Sequence, residues 1–90
     1  MELEQLRVFL AVAEHESFSA AARALFVSHS TTSRAVAALE RELGAALLLR
    51  EGRTVRLTPE GEILSEDARR VLALIEEIKQ KIQREKEKEE

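Results

Sequence analysis

The sequence has no cysteine, tryptophan or tyrosine, and only one proline, three glycines and three phenylalanines. Without cysteine there is no disulfide and no thiolate metal site. The two histidines, His15 and His29, have no partner at metal-ligand spacing, so neither a metal nor another cofactor is expected. With so few aromatic residues, Leu, Ala, Val and Ile must build the interior, and scarce Gly and Pro leave few places to turn, which favours helix. The longest apolar run, Val8 to Ala13, is far too short to span a membrane. The start, Met1-Glu2-Leu3-Glu4, lacks the basic segment of a secretion signal. A soluble, cytoplasmic chain with no membrane partner is therefore expected. There is no paired acid/base constellation and no phosphate-cradling glycine loop, so neither an enzyme nor a small-molecule site is expected.

Nor is there an excess of positive charge: the formal net charge is -3 over 90 residues. Its distribution matters more than its sum. From Arg23 to Arg56 six arginines (23, 34, 41, 50, 53, 56) stand against three glutamates (40, 42, 51), and no lysine occurs before Lys79. Every cation of the first 78 residues is thus the planar, forked type suited to phosphates and guanine edges. The acidity lies at the N-terminus and in the tail. The local charge permits a nucleic-acid partner although the net charge does not suggest one.

Ninety residues allow a single small domain. Leu3, Leu6, Leu10 and Ala13 recur at helical spacing beside Phe9, which predicts a first helix over roughly 2–14. A second helix is predicted over about 19–26, with Ala21, Ala22 and Leu25 inward. Val27-Ser28 interrupts the pattern. Ser28 is a good N-cap for a third helix running to about Glu42, with Thr32, Val36, Leu39 and Leu43 inward and Gly44 closing it.

Leu47 to Glu51 and Thr54 to Thr58 flank Gly52-Arg53 and read as a β-hairpin. Thr58-Pro59-Glu60 then starts a last helix: a capping hydroxyl, proline at the first helical position and an acid. Along it Leu64, Ala68, Val71, Ile75, Ile78 and Ile82 are spaced 4, 3, 4, 3 and 4 residues apart, an a/d seam. Thirty helical residues extend about 45 Å, more than a head of this size covers, so the seam predicts a homodimer through the C-terminal helix. Beyond Ile82 only Gln, Arg, Glu and Lys remain, a tail expected to fray.

The expected fold is therefore mainly α: three helices and a hairpin over 1–58, a winged helix-turn-helix, followed by a dimerisation helix over 59–90. The helix-turn-helix occupies about 18–37 and the wing about 47–58. With Thr32, Val36 and Leu39 inward, Ser30, Ser33, Arg34 and Ala37 face outward at the start of the third helix. A helix N-terminus offers unpaired N–H groups and a positive dipole end to phosphates. Ser30 and Ser33 are short enough to let the helix lie deep in a groove, and Arg34 suits a guanine or a phosphate. His29 sits beside the cap, Arg53 at the hairpin turn suits the minor groove, and Arg50 suits phosphate. The candidate DNA-binding set is Ser28, His29, Ser30, Thr31, Ser33, Arg34, Arg50 and Arg53.

Leu6, Phe9, the segment Ser17-Phe18-Ser19-Ala20-Ala21-Ala22, Leu25, Val27-Ser28, Ser33-Arg34, Leu39-Glu40, Glu42-Leu43-Gly44, Leu47, Arg50, Gly52-Arg53 and Leu57-Thr58-Pro59-Glu60-Gly61 resemble, in register and without a gap, the DNA-binding region of LysR-type transcriptional regulators. That resemblance implies a linker helix that dimerises, usually antiparallel to its mate, and double-stranded DNA carrying an interrupted inverted repeat as partner. It implies a third helix in the major groove and a wing reaching the adjacent minor groove. The sequence departs from the family at His29, where Gln is frequent, at Ser30, where Pro is frequent, at Glu4, where a basic or polar residue is common, and at Leu48, where Phe is common. Full-length members also carry a C-terminal effector-binding domain several times longer. An excised fragment is the favoured reading over a standalone regulator without a sensor. The alternative function is a winged-helix protein-interaction module that does not bind DNA, which the net acidity would suit.

Overall fold

The computed structural model describes residues 1–89, in the order α1 (Leu3–His15), α2 (Phe18–Leu25), α3 (His29–Leu43), β1 (Leu48–Glu51), β2 (Thr54–Leu57) and α4 (Pro59–Lys88). Three helices and a two-stranded hairpin form the head, and α4 projects from it, so the molecule measures 56 × 26 × 18 Å. None of the helices is long and apolar enough to cross a membrane, among the described residues.

Helix α1 is the centre of the head and packs against α2, α3, α4 and β2. That position explains why its buried set differs from the predicted stripe. Leu6, Val8, Phe9 and Val12 are buried, Leu10 and Ala13 are half-buried, and Leu3 is exposed at the helix start. A helix covered from several sides buries an arc wider than one i, i+3, i+4 row.

Helix α2 begins one residue earlier than predicted, because Ser17 is its cap and accepts a hydrogen bond from the Ala20 N–H at 3.1 Å. Phe18, Ala21 and Ala22 are its buried residues. It ends at Phe26, whose φ of 58° is left-handed, while the Val27 N–H reaches the Ala22 carbonyl at 3.0 Å. Glycine usually takes that position. Phe26 is 94% exposed, and nothing in the structure explains a phenylalanine there.

Ser28 caps α3 as expected, its hydroxyl accepting from the Thr31 N–H at 3.0 Å. Thr32, Val36 and Leu39 are buried in the core, and the Thr32 hydroxyl is satisfied by the Ser28 carbonyl at 3.1 Å. Leu43, expected inward, is exposed where the helix runs past the head. Gly44 closes the helix at φ 65°.

The hairpin pairs Leu48 with Leu57 and Arg50 with Val55, and Gly52 at φ 62° supplies the positive φ that a two-residue turn needs at its first position. Three hydrogen bonds fasten this wing to the head. The Glu40 carboxylate on α3 accepts from the Leu47 N–H at 2.8 Å and the Leu48 N–H at 3.4 Å, and the Val55 N–H donates to the Glu16 carbonyl at 3.1 Å. The Thr58 N–H donates to the Leu47 carbonyl at 3.0 Å and closes the base of the hairpin.

Thr58 serves both sides of the junction with α4. Its hydroxyl donates to the Ala46 carbonyl at 2.6 Å and accepts from the Gly61 N–H at 2.9 Å. Gly61, an unfavourable residue in a first helical turn, is there for proximity: a Cβ at that site would lie 2.0 Å from the Leu47 carbonyl oxygen. The first turns of α4 consequently belong to the core, with Gly61, Ser65 and Ala68 buried and Leu64 packed against them. The tail predicted to fray is helical to Lys88, with Lys86 and Lys88 in the last turn favourably placed for the helix dipole.

Candidate nucleic-acid interface

The fold brings the N-termini of α2 and α3 together beside the wing. Between them runs a cleft lined by Ser17, Phe18, Ser19, His29, Arg50, Gly52, Arg53, Thr54 and Val55. The first N–H groups of a helix have no intrahelical partner. At α2 and α3 the Ser17 and Ser28 hydroxyls each satisfy one of them, and the remaining N–H groups of both first turns add their positive dipole ends to this region.

Of the predicted residues, Ser28, His29, Ser30, Thr31 and Arg34 are exposed and Ser33 is half-buried. Ser28 Oγ and Thr31 Oγ1 are hydrogen-bonded to each other at 2.9 Å, which holds both hydroxyls at the head of the helix. His29 is the first residue of α3, directly after the Ser28 cap. Its Nδ1 lies 3.4 Å from Ser33 Oγ one turn on, which accounts for the partial burial of Ser33. Arg34 and Ala37 project from the exposed side, opposite Thr32, Val36 and Leu39.

Arg50 has a more specific setting than a free surface cation. Its guanidinium carbon lies 4.3 Å from the centre of the Phe18 ring, and that ring is 6.0 Å from the His29 ring at an interplanar angle of 42°. The wing, the start of α2 and the start of α3 are thus stacked in series, with a cation over an aromatic face at one end. Arg53 is exposed at the hairpin turn.

The charged side chains that line the cleft are all positive. No carboxylate lines the cleft, and among the described residues Arg34, Arg50 and Arg53 form no ion pair. Arg56 does, at 3.6 Å from Glu51 on the wing. Sequence reasoning missed Ser17, Phe18, Ser19, Gly52, Thr54 and Val55 as lining residues. Ser17 carried a usable signal, since a serine before an apolar helix is a cap, and a cap marks where unpaired N–H groups point.

The predicted seam on α4 divides. Ala68 is 1% exposed inside the protomer's own core and offers no surface to a second chain, a correction to its assignment as an interface residue. Leu64 and Ile75 are half-buried, whereas Val71, Ile78 and Ile82 are exposed. Two residues outside the predicted seam join the exposed set, Ile63 at 66% and Leu74 at 52%. The core-facing row of α4 is Gly61, Leu64, Ser65, Ala68 and Leu72, so the free stripe runs one step round the helix. At its N-terminal end the stripe opens into an apolar groove lined by Leu43, Ala45, Leu47, Ile63 and Leu64 and flanked by Glu60 and Asp67.

A sequence model of bacterial regulatory helix-turn-helix proteins of the lysR family matches residues 3–62. The HTH-type transcriptional regulator TfdT of Cupriavidus pinatubonensis is 43% identical over 76 residues, 84% of this chain and 33% of that protein. ClcR of Pseudomonas putida, also an HTH-type transcriptional regulator, is 47% identical over 76 residues, 84% of this chain and 26% of that protein. The chain therefore spans about a quarter to a third of the length of the curated relatives it matches. Among solved structures, the CbnR DNA-binding domain in complex with DNA superposes with a TM-score of 0.88 at 42% identity, covering 92% of this chain and 95% of that one. The BenM DNA-binding domain on its benA site 1 DNA gives 0.89 at 39% identity, covering 93% and 98%. The chain, a winged helix-turn-helix built by α1 to β2 and followed by helix α4, belongs to the LysR family of bacterial regulatory helix-turn-helix proteins.

Proposed function

We propose that this chain binds double-stranded DNA sequence-specifically, as the DNA-binding module of a dimeric transcriptional regulator. One observation carries the reading: the N-terminal half of α3 turns hydroxyls and Arg34 outward, beside a cleft that holds arginines and no carboxylate. In this reading α3 lies in the major groove, with Ser30 and Ser33 allowing close approach and Arg34 donating to a guanine edge or a phosphate. The starts of α2 and α3 meet the sugar-phosphate backbone through their N–H groups, with Ser28 and Thr31 adding hydroxyls. Arg53 reaches the adjacent minor groove. Arg50, held over Phe18, offers the edge of its guanidinium to a phosphate. Support comes from the relatives, two of which are DNA complexes of their own binding domains.

The same proposal makes α4 the dimer contact. Its exposed apolar residues, Ile63, Val71, Leu74, Ile78 and Ile82, form a stripe that water disfavours. An antiparallel mate would bring Ile82 of one helix towards Ile63 of the other. It would also set Glu60 and Asp67, which flank the groove, near the lysine-bearing half of the partner helix. A twofold dimer reads an inverted repeat, its two half-sites separated by the spacing of the two α3 helices.

The test is binding of the full chain to a random duplex library, followed by a salt series on a selected site. A twofold-symmetric consensus and an affinity falling steeply with salt are expected. Absence of duplex binding at low ionic strength would leave the protein-interaction module as the better reading.

A further inference from the structure

His29 is the one imidazole of the interface, and the tautomer of its ring sets whether the free nitrogen donates or accepts. It is exposed at the first position of α3, and its ring is braced by Phe18 at 6.0 Å, itself covered by Arg50 at 4.3 Å. Nδ1 meets Ser33 Oγ at 3.4 Å, and Nε2 has no partner among the described residues. Two neutral arrangements satisfy this geometry. Where the Ser33 hydroxyl donates to Nδ1, the imidazole carries its proton on Nε2 and is a donor toward solvent. Where Nδ1–H donates to Ser33 Oγ, the hydroxyl proton can turn to the carbonyl one turn back, and Nε2 becomes an acceptor. The imidazolium carries both protons and only donates.

The groups facing His29 are cationic or uncharged. The wing contributes Arg50 and Arg53 to the shared cleft, and α2 contributes Ser17, Phe18 and Ser19, none of them titratable in the neutral range. On α3 itself the first charged residue is Arg34. No carboxylate lines the cleft, so no ion pair inside it engages His29.

We propose that His29, with Nδ1 held by Ser33, makes base discrimination at one operator position depend on the proton: the neutral ring accepts cytosine and guanine alike, and the charged ring rejects cytosine. In the major groove cytosine presents only its N4 amino donor, whereas guanine presents only the acceptors N7 and O6. Neutral His29 meets the first as acceptor and the second as donor. The imidazolium meets only guanine. The inference rests on the DNA-interface reading above and adds to it the chemistry of one contacted base.

The experiment selects duplexes with the full chain, wild type and His29→Gln, at about pH 6 and about pH 8, between which a histidine changes charge. Affinities are then measured for duplexes carrying G or C at the position where the two proteins select differently. For the wild type, the guanine-to-cytosine affinity ratio should rise about five- to ten-fold on acidification, the scale of one unmet buried hydrogen bond. His29→Gln should keep a constant ratio, because its amide donates and accepts at either pH. A ratio cancels any general gain of affinity from added positive charge, including that of His15. Specific binding with a pH-independent ratio, or an equal change in His29→Gln, would overturn this inference alone. Loss of all sequence-specific binding at both pH values would overturn the interface reading and this inference with it.

Discussion

Gly61→Ala sets two physical effects against each other. Helix propensity alone favours alanine over glycine in a helix by about 1 kcal/mol. The structure opposes it, because the new Cβ would lie 2.0 Å from the Leu47 carbonyl oxygen and 3.0 Å from its carbon, both backbone atoms that cannot rotate aside. Relief requires α4 and the β1 approach to separate by roughly 1 Å, since contacts under about 3 Å are not tolerated. That movement stretches the Thr58 N–H to Leu47 carbonyl bond at 3.0 Å and the Thr58 hydroxyl to Ala46 carbonyl bond at 2.6 Å. It also lifts Leu47, 1% exposed, from its seat. Two hydrogen bonds at about 1 kcal/mol each and partial loss of Leu47 packing at about 1–2 kcal/mol outweigh the propensity gain. The net cost is about 2–3 kcal/mol, a large fraction of the stability of a small domain. Thermal melts at fixed protein concentration should fall by about 10–20 °C. Gly44→Ala is the internal control: its φ is 65° but no atom lies within 4 Å, so it should lose only about 1–2 kcal/mol, the cost of left-handed strain. A Gly61→Ala protein as stable as the wild type would refute the steric account.

Three further outcomes test the functional surfaces. Arg34→Ala should weaken binding to the selected operator by about 1–3 kcal/mol with an unchanged circular dichroism spectrum, and equal gel-shift affinities would remove Arg34 from base readout. Arg53→Ala should lower affinity for all duplexes alike and reduce the slope of log K against log salt by about 1, so an unchanged slope would argue against a phosphate or groove contact. Ile78→Lys alters a residue 47% exposed in the protomer, so folding should persist while sedimentation shifts from dimer to monomer; an undisturbed dimer would locate the interface elsewhere.

The legible parts of the sequence were those where one residue satisfies a local requirement by itself. Ser28 and Thr58 as caps, Gly44 and Gly52 at positive φ, and the inward row Thr32, Val36 and Leu39 follow from backbone groups and periods within a few residues. The family pattern adds order to these signals. What the sequence does not carry is how many neighbours an element has. Leu3 continues the α1 period and yet is exposed, whereas Val8 and Val12 lie off the predicted row and are buried in a helix that packs against α2, α3, α4 and β2. The same gap explains Ala68. A heptad seam cannot tell a partner helix from the chain's own head, and the first turns of α4 face the head.

The stack of Arg50, Phe18 and His29 was illegible for a related reason: its members lie 11 and 21 residues apart along the chain and meet only when the wing folds back onto α2. Its consequence is mechanical. The wing is tied to α3 by Glu40 accepting the Leu47 N–H at 2.8 Å and to α2 by Arg50 resting on Phe18. One tie to each of two packed helices limits how far the wing can turn relative to them. Under the proposed DNA-binding role, a surface held this way would be pre-organised, so less ordering would be needed on binding. It would then discriminate among duplexes by fit and by base contacts rather than by adapting to each.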